Sequence, residues 1–109
     1  MSDEIIVFVS LTAAEGRGDE IEKAFADCIP PSHAEAGCLL YALHRDNANP
    51  DHFVHLERWA SQAAIDEHGQ TDHLKQVFRA LGAPGLLAGA PTMWMCSAVP
   101  YGDAVKGAL

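Results

Sequence analysis

The first third of the chain changes from a strand-like to a helix-like pattern of hydrophobic residues. Residues 5–11 are rich in β-branched side chains, and both faces of the strand that they would form are apolar. This pattern predicts a strand that is covered on both sides. Glycines interrupt this run, and Asp19 begins a segment with apolar residues at helical spacing. Pro30 and Pro31 end or bend that helix, and one short helical turn is expected up to Ala36.

Two further strand patterns follow and are joined by a polar turn. Gly37 is expected at the end of the preceding helical turn, and residues 38–44 then predict the second strand. Residues 46–51 contain Asn, Pro and Asp and are typical of a turn. Because residues 53–59 return to a strand pattern, the two strands are predicted to form a hairpin.

The second helical region is predicted in two pieces. Ser61 can cap the first piece, which Gly69 interrupts, and Thr71 can cap the second, which ends at Gly82. A Gly- and Pro-rich connection over residues 83–90 leads to a last strand over residues 92–99. The predicted buried face of the second piece is Leu74, Val77, Phe78 and Leu81.

The order β-α-β-β-α-β, with its second helix split, predicts an α+β fold of the ferredoxin-like plan. This plan has a four-stranded antiparallel sheet with helices on one face. The predicted strands are apolar on both faces, but no helix is left for the second face, so we expect a homodimer in which two sheets pack together. One domain is expected over residues 1–109, with its core at residues 5–99 and a tail at residues 100–109.

Composition narrows the range of functions. The net charge of −8 disfavours nucleic acid and anionic membrane surfaces, which bind clustered Lys and Arg. The acidic N-terminus does not read as a secretory signal, and the apolar runs are too short to span a bilayer. Three cysteines without metal-like spacing fit free thiols in a reducing cytoplasm.

A motif in the middle of the chain resembles the antibiotic biosynthesis monooxygenase family, the dimeric α+β-barrel domain. The motif places a glycine-started strand, a Pro-Asp turn, a Phe-to-Trp strand and two histidines in a fixed order. The resemblance covers residues 5 to about 99. The matching residues are Glu35, Gly37, Cys38, Leu39, Tyr41, Pro50, Asp51, Phe53, Glu57, Trp59, His68 and His73.

The resemblance implies a homodimer that holds a small aromatic or hydrophobic substrate between its sheet and its helices. Some members of the family oxidise quinols or aromatic polyketides with dioxygen and no cofactor, others isomerise small carbonyl compounds, and others degrade haem. We therefore expect a cofactor-independent monooxygenase that deprotonates its substrate for direct reaction with dioxygen. A binding module for a small hydrophobic metabolite and an isomerase remain the alternatives.

The candidate catalytic residues are His55, Glu57 and His68. His55 and Glu57 alternate along one strand and share a face, which we assign to the helices, so they can form a base with its orienting carboxylate. A histidine near neutral pKa suits the deprotonation of a phenol or enol. The structural alternative is that Glu57 and the histidines only hold helices in place. The side chain of Arg58 lies on the opposite face of this strand, and we expect it to pair with an acidic residue of the other subunit.

The candidate substrate-binding residues are Tyr41, Phe53, Trp59 and His73. Their aromatic rings can form a wall for an aromatic substrate, although such residues are more often part of a core. The pocket is expected between the sheet and the split helix, with Gly69 as a hinge. The other histidines, His33, His44 and His52, are expected to be solvated.

Metal and haem are not expected. A triad of two histidines and a carboxylate can be drawn from His55, Glu57 and His68, but no close-spaced ligand motif supports it. Haem degradation in related folds uses an Asn on the first strand, and residues 5–11 contain none. The sequence also lacks a glycine-rich phosphate loop. The prediction is a site with no cofactor.

Overall fold

The chain folds into a four-stranded antiparallel sheet with its helices on one face, as predicted. The computed structural model describes residues 3–109. Its elements in chain order are β1 (Ile5–Thr12), α1 (Gly18–Ala26), α2 (Ile29–His33), β2 (Cys38–Arg45), β3 (His52–Trp59), α3 (Gln62–Gly69), α4 (Asp72–Leu81) and β4 (Thr92–Cys96).

The strand order β2-β3-β1-β4 places β3 and β1 at the centre of the sheet. Opposite residues in an antiparallel pair share a face, so Val9, opposite His55, and Val7, opposite Glu57, face the same side. This side carries the helices, because His55 and Trp59 are completely buried and contact α1 and α3. The predicted assignment of these side chains to the helical side is therefore confirmed.

The helices begin where the sequence offers caps. The Ser61 hydroxyl accepts a hydrogen bond from the Ala64 N–H, and the Thr71 hydroxyl accepts one from the Leu74 N–H. Pro30 and Pro31 occupy the first turn of α2, where a missing N–H costs little. Within residues 3–109, no helix has the length and apolar character needed to cross a membrane.

The Pro-Asp turn of the hairpin also holds the start of α1. The Asp51 carboxylate accepts hydrogen bonds from the main-chain N–H groups of Gly16 and Gly18, each at 2.9 Å. An anion at this position satisfies the N–H of Gly18, the first residue of α1, which lacks a partner within the helix. The hairpin turn therefore fixes where α1 begins relative to the sheet.

Two predicted details are wrong. The last strand ends at Cys96 rather than at residue 99, and its pairing with β1 ends at Ile6 opposite Cys96. Phe78 is 62% exposed, although it was predicted in the buried face of α4. That face is centred on Val77, and Phe78 is turned away from it by one helical step.

The start of β2 contains a bulge and packs closely against α3. The register shifts between Cys38 and Leu40. As a result, Cys38 and Tyr41 both face the helices, although a regular strand would place residues three apart on opposite faces. Just before the bulge, a Cβ added to Gly37 would lie 2.3 Å from the Cβ of Ala64. Glycine at position 37 therefore lets α3 approach the start of β2.

The outer face of the sheet is apolar and only partly covered. Phe8, Val54 and Leu56 are half-buried there, and Trp94 on β4 is 51% exposed. Arg58 lies on this face, as expected from its parity, and forms an ion pair with Glu4 at 3.4 Å. Its guanidinium also donates to the main-chain oxygen of Leu109, so Arg58 has partners within its own chain.

We expect Gly37→Ala to lower the free energy of unfolding by about 1–3 kcal/mol, because the new methyl group overlaps Ala64 on a packed helix. Gly69→Ala is the matched control, since a Cβ there meets nothing within 4 Å. The control should change stability by no more than ~1 kcal/mol. Denaturant unfolding of both variants measures this, and equal effects would show that the contact at Gly37 is not important.

Candidate active site

A chain of hydrogen bonds runs along the helical side of β3. In the neutral ring, His55 Nδ1–H donates to Glu57 Oε2 at 3.2 Å, and Trp59 Nε1–H donates to Glu57 Oε1 at 2.8 Å. The spacing of two residues along a strand puts all three side chains on one face. Glu57 thus orients both rings, and His55 Nε2 is left buried without a hydrogen-bond partner.

Aromatic rings enclose His55 on the sides that its hydrogen bond leaves open. Phe25 of α1 stacks on it with ring centroids 5.1 Å apart, and Tyr41 of β2 meets it edge-on at 4.2 Å. The exposed fraction of His55 is 0%. A polar nitrogen in such a place is costly unless it gains a partner, which makes Nε2 a candidate for contact with a ligand.

Tyr41 places a neutral hydroxyl group among the side chains that surround His55. Its oxygen lies 3.5 Å from the Cys28 sulfur, which in turn lies 3.4 Å from the Ser32 hydroxyl. Burial, and then the hydrogen bond with Cys28, raises the pKa of the Tyr41 phenol far above its usual range. Tyr41 is therefore a hydrogen-bond donor and not a phenolate at any physiological pH.

A second polar cluster lies where the two pieces of the split helix meet. The same Glu35 oxygen, Oε2, lies 2.6 Å from His68 Nδ1 and 2.9 Å from His73 Nε2. His68 is at the end of α3 and His73 is in the first turn of α4, with the cap Thr71 between them. The Thr71 hydroxyl donates to the His68 carbonyl oxygen at 2.7 Å, which fixes this bend.

The two clusters are in contact through their rings. The centroids of Trp59 and His68 are 4.5 Å apart, and those of Tyr41 and His68 are 5.3 Å apart. The structure therefore brings together six of the seven predicted site residues: Tyr41, His55, Glu57, Trp59, His68 and His73. Phe53 lies at the other end of β3, buried beneath the guanidinium of Arg45, whose carbon is 4.8 Å from the ring centre.

A cleft that borders the cluster at His73 lies at a different place from the predicted pocket. The space between the sheet and the split helix is filled by packed rings, and a cleft of about 410 Å³ lies instead between α1 and α4. Of the six clustered residues, His73 also lines this cleft. The other lining residues are Glu20, Lys23, Ala24, Asp27, Cys28, Gln76, Ala80, Ala83 and Leu86.

The structure also changes the interpretation of two other residues, His52 and Glu35. His52 is not solvated: its Nδ1 lies 2.8 Å from Asp46 Oδ2 and its Nε2 lies 2.8 Å from the Ser10 hydroxyl. His33 is exposed, as predicted, and its Nε2 lies 2.9 Å from the Tyr41 carbonyl oxygen. Glu35 was noted only as part of the motif, because its partners are 33 and 38 residues away in sequence. His44 is exposed, as predicted.

Comparison with known proteins identifies the family. Residues 4–80 match the antibiotic biosynthesis monooxygenase family. The chain belongs to this family, which confirms the resemblance of its central motif.

Individual relatives share the fold over most of the chain. A structure of PA3566 from Pseudomonas aeruginosa is 31% identical, with a TM-score of 0.82 over 92% of this chain and 98% of that one. A candidate antibiotic biosynthesis monooxygenase from Caulobacter crescentus is 35% identical, with a TM-score of 0.81 over 91% of this chain and 92% of that one. The uncharacterized protein sll1783 from Synechocystis is 29% identical over 79% of this chain, which spans 57% of the length of that relative.

We expect the buried phenol of Tyr41 to stay protonated as long as the protein is folded. In Tyr101→Phe, Tyr41 is the remaining tyrosine, so near-ultraviolet absorbance should show no phenolate at pH 11 in the folded protein. The same variant unfolded in denaturant should ionise near pH ~10. Since the unfolded chain loses this proton first, the free energy of unfolding should fall as pH rises above about 10. Phenolate in the folded variant near pH 10 would contradict the burial.

Proposed function

We propose that this protein is a cofactor-independent monooxygenase that acts on a quinol-like or polyketide-like aromatic molecule. The observation that carries the proposal is His55, whose Nδ1 is oriented by Glu57 and whose buried Nε2 has no partner. An imidazole held by a carboxylate on one nitrogen, with a lone pair on the other, has the arrangement of a general base. Family membership supports an oxygenase by its name.

In the proposed reaction, His55 Nε2 takes a proton from an acidic CH₂ group or its enol tautomer in the substrate. The resulting anion gives one electron to dioxygen, and the two radicals combine to form a C–O bond. The protonated His55 returns its proton to the peroxide oxygen, and loss of water leaves a new carbonyl group. The sum is CH₂ plus O₂ giving C=O plus H₂O, and dioxygen is the oxidant.

The proposed route of the substrate is the cleft between α1 and α4. A volume of about 410 Å³ is within the range of small-molecule sites. Cys28 lines this cleft and contacts the hydroxyl group of Tyr41, which in turn lies beside His55. Because Phe25 covers the His55 ring, binding would displace the Phe25 side chain, and the Tyr41 hydroxyl could then donate to a substrate oxygen.

The other predicted site residues have supporting roles in this proposal. Trp59 and His68 would form the aromatic wall of the opened pocket, and His73 would contact the substrate in the cleft. His68 is also a candidate base and is likewise oriented by a carboxylate at Nδ1, but the buried ring nitrogen that lacks a partner belongs to His55. We place the protein in the cytoplasm, which the free thiols of Cys28, Cys38 and Cys96 support.

We also propose that the protein is a homodimer with the two sheets packed face to face. The outer face of the sheet holds a continuous set of apolar side chains from its central strands, including Phe8, Val54 and Leu56. Water contact with such a face is unfavourable, and a second copy offers an equally apolar surface. Membership in a family whose members are commonly dimeric supports a homodimer.

Leu56→Asp should dissociate this dimer, because pairing would bury an unpaired carboxylate at a cost of several kcal/mol. Phe78→Asp is the matched control: it also replaces a partly exposed apolar residue, but on α4, away from the sheet face. Sedimentation at micromolar concentration should show a dimer for the native protein and the control, and a monomer for Leu56→Asp. A monomeric native protein would contradict the proposed pairing.

If His55 is the base, His55→Ala should lower turnover by roughly 10²-fold or more, with substrate binding less affected. Oxygen uptake with a panel of quinols and polyketide-like phenols measures turnover. Added imidazole should restore part of the activity, which a purely structural role for the ring would not allow. His44→Ala, at an exposed position on β2, is the control and should behave as the native protein.

The same assays separate the alternatives. Binding of these aromatics with no oxygen uptake would favour the binding module, and exchange of solvent protons into a carbonyl substrate without oxygen uptake would favour the isomerase. Full turnover in His55→Ala would remove His55 from the mechanism.

A further inference from the structure

The cluster of Glu35, His68 and His73 is not needed for the proposed proton transfer at His55. One ligand atom from each residue, Glu35 Oε2, His68 Nδ1 and His73 Nε2, lies within 4.8 Å of both others. These residues come from three separate elements of the chain, so the fold and not a local motif brings them together. Two imidazole nitrogens and one carboxylate oxygen are a donor set that first-row divalent transition metals prefer.

We propose that Glu35, His68 and His73 form a binding site for a divalent transition metal ion such as Zn²⁺ or Fe²⁺. Around an ion with bonds of about 2.1 Å, ligand atoms stand roughly 3.0–3.4 Å apart. The Glu35 oxygen now lies 2.6 Å from one ring nitrogen and 2.9 Å from the other, so a small rotation of its side chain makes room for an ion. The two ring nitrogens lie within 4.8 Å of each other, so the His73 ring must also move toward His68 to reach a spacing of roughly 3.4 Å.

The residues around the cluster are compatible with a bound ion that can also bind water or a small molecule. His68 is almost fully buried, and its ring contacts the rings of Trp59 and Tyr41, which restricts the orientation of this ligand. His73 is more exposed and lines the cleft between α1 and α4, which gives the ion a route into the site. With three protein ligands, the remaining coordination positions are available to water or to an anionic oxygen of a molecule in the cleft.

This inference goes beyond the proposed oxygenation and departs from the expectation, drawn from the sequence, that the protein binds no metal. The three ligands do not include His55 or Glu57, and metal binding is measured directly instead of through turnover. A failure of the metal site would leave the base at His55 intact, and inactivity of the protein toward quinols would leave the metal site intact.

The test is a titration of chelator-treated protein with Co²⁺, followed by its visible absorption. We expect saturation at one Co²⁺ per chain, with bands typical of nitrogen and oxygen ligands, and displacement by Zn²⁺. His73→Ala and Glu35→Gln should each weaken Co²⁺ binding by about 10²-fold or more while circular dichroism stays unchanged. His44→Ala, which removes an exposed histidine outside the cluster, should bind as the native protein.

A measurement on the native chain keeps the proposal testable if a variant does not fold. Bound Co²⁺ should shift the ring proton resonances of His68 and His73 strongly in an NMR spectrum, with little effect on His44. No saturable Co²⁺ binding, native-like binding by His73→Ala, or paramagnetic shifts that spare His68 and His73 would each overturn the metal site.

Discussion

The burial of polar side chains between sheet and helices is the constraint on which the rest of this structure depends. His55, Glu57 and Trp59 point from β3 into the core, where an unpaired polar group is costly. Glu57 meets this constraint by accepting from both rings with its two oxygens. Glu35 does the same for His68 and His73 with a single oxygen. Two carboxylates thus hold four rings and, through them, α3 and α4.

Among residues 3–109, His55 Nε2 is the buried polar atom between sheet and helices that does not meet this constraint, and it is the most informative atom for function. The other buried side-chain atom without a hydrogen bond, Arg58 Nε, lies on the outer face and forms an ion pair with Glu4. His55 Nε2 is buried without a partner, although neighbouring polar groups such as the Tyr41 hydroxyl have theirs. Native proteins satisfy most buried polar atoms, so an exception in a layer of ionisable and aromatic side chains favours a role in ligand contact over a role in packing alone.

The two faces of the sheet differ in the side chains that they carry. The helical face holds the polar layer and the cleft beside it, whereas the outer face is apolar and carries Arg58 as a charged residue paired with Glu4. A dimer formed through the outer face would leave the cleft between α1 and α4 open to small molecules. In this arrangement, assembly and ligand access do not compete for the same surface.

The sequence alone determined the order of the elements and the helical side of β3. Alternation along residues 53–59 places His55, Glu57 and Trp59 on one face, and Ser61 and Thr71 mark the starts of α3 and α4, because periodicity and capping are local properties. The family motif added Tyr41, His68 and His73 to the candidate site, and the structure places them beside β3.

Tertiary packing decided what depends on distances between remote residues. The role of Glu35 was not visible because its histidines are more than 30 residues away. The bulge at Leu39 turned Tyr41 toward the helices, which no alternation pattern from Cys38 predicts. The cleft lies between α1 and α4 because the rings of Tyr41, His55, Trp59 and His68 fill the space beneath α3. Such outcomes follow from how volumes fit together, and a linear pattern of side chains does not contain that information.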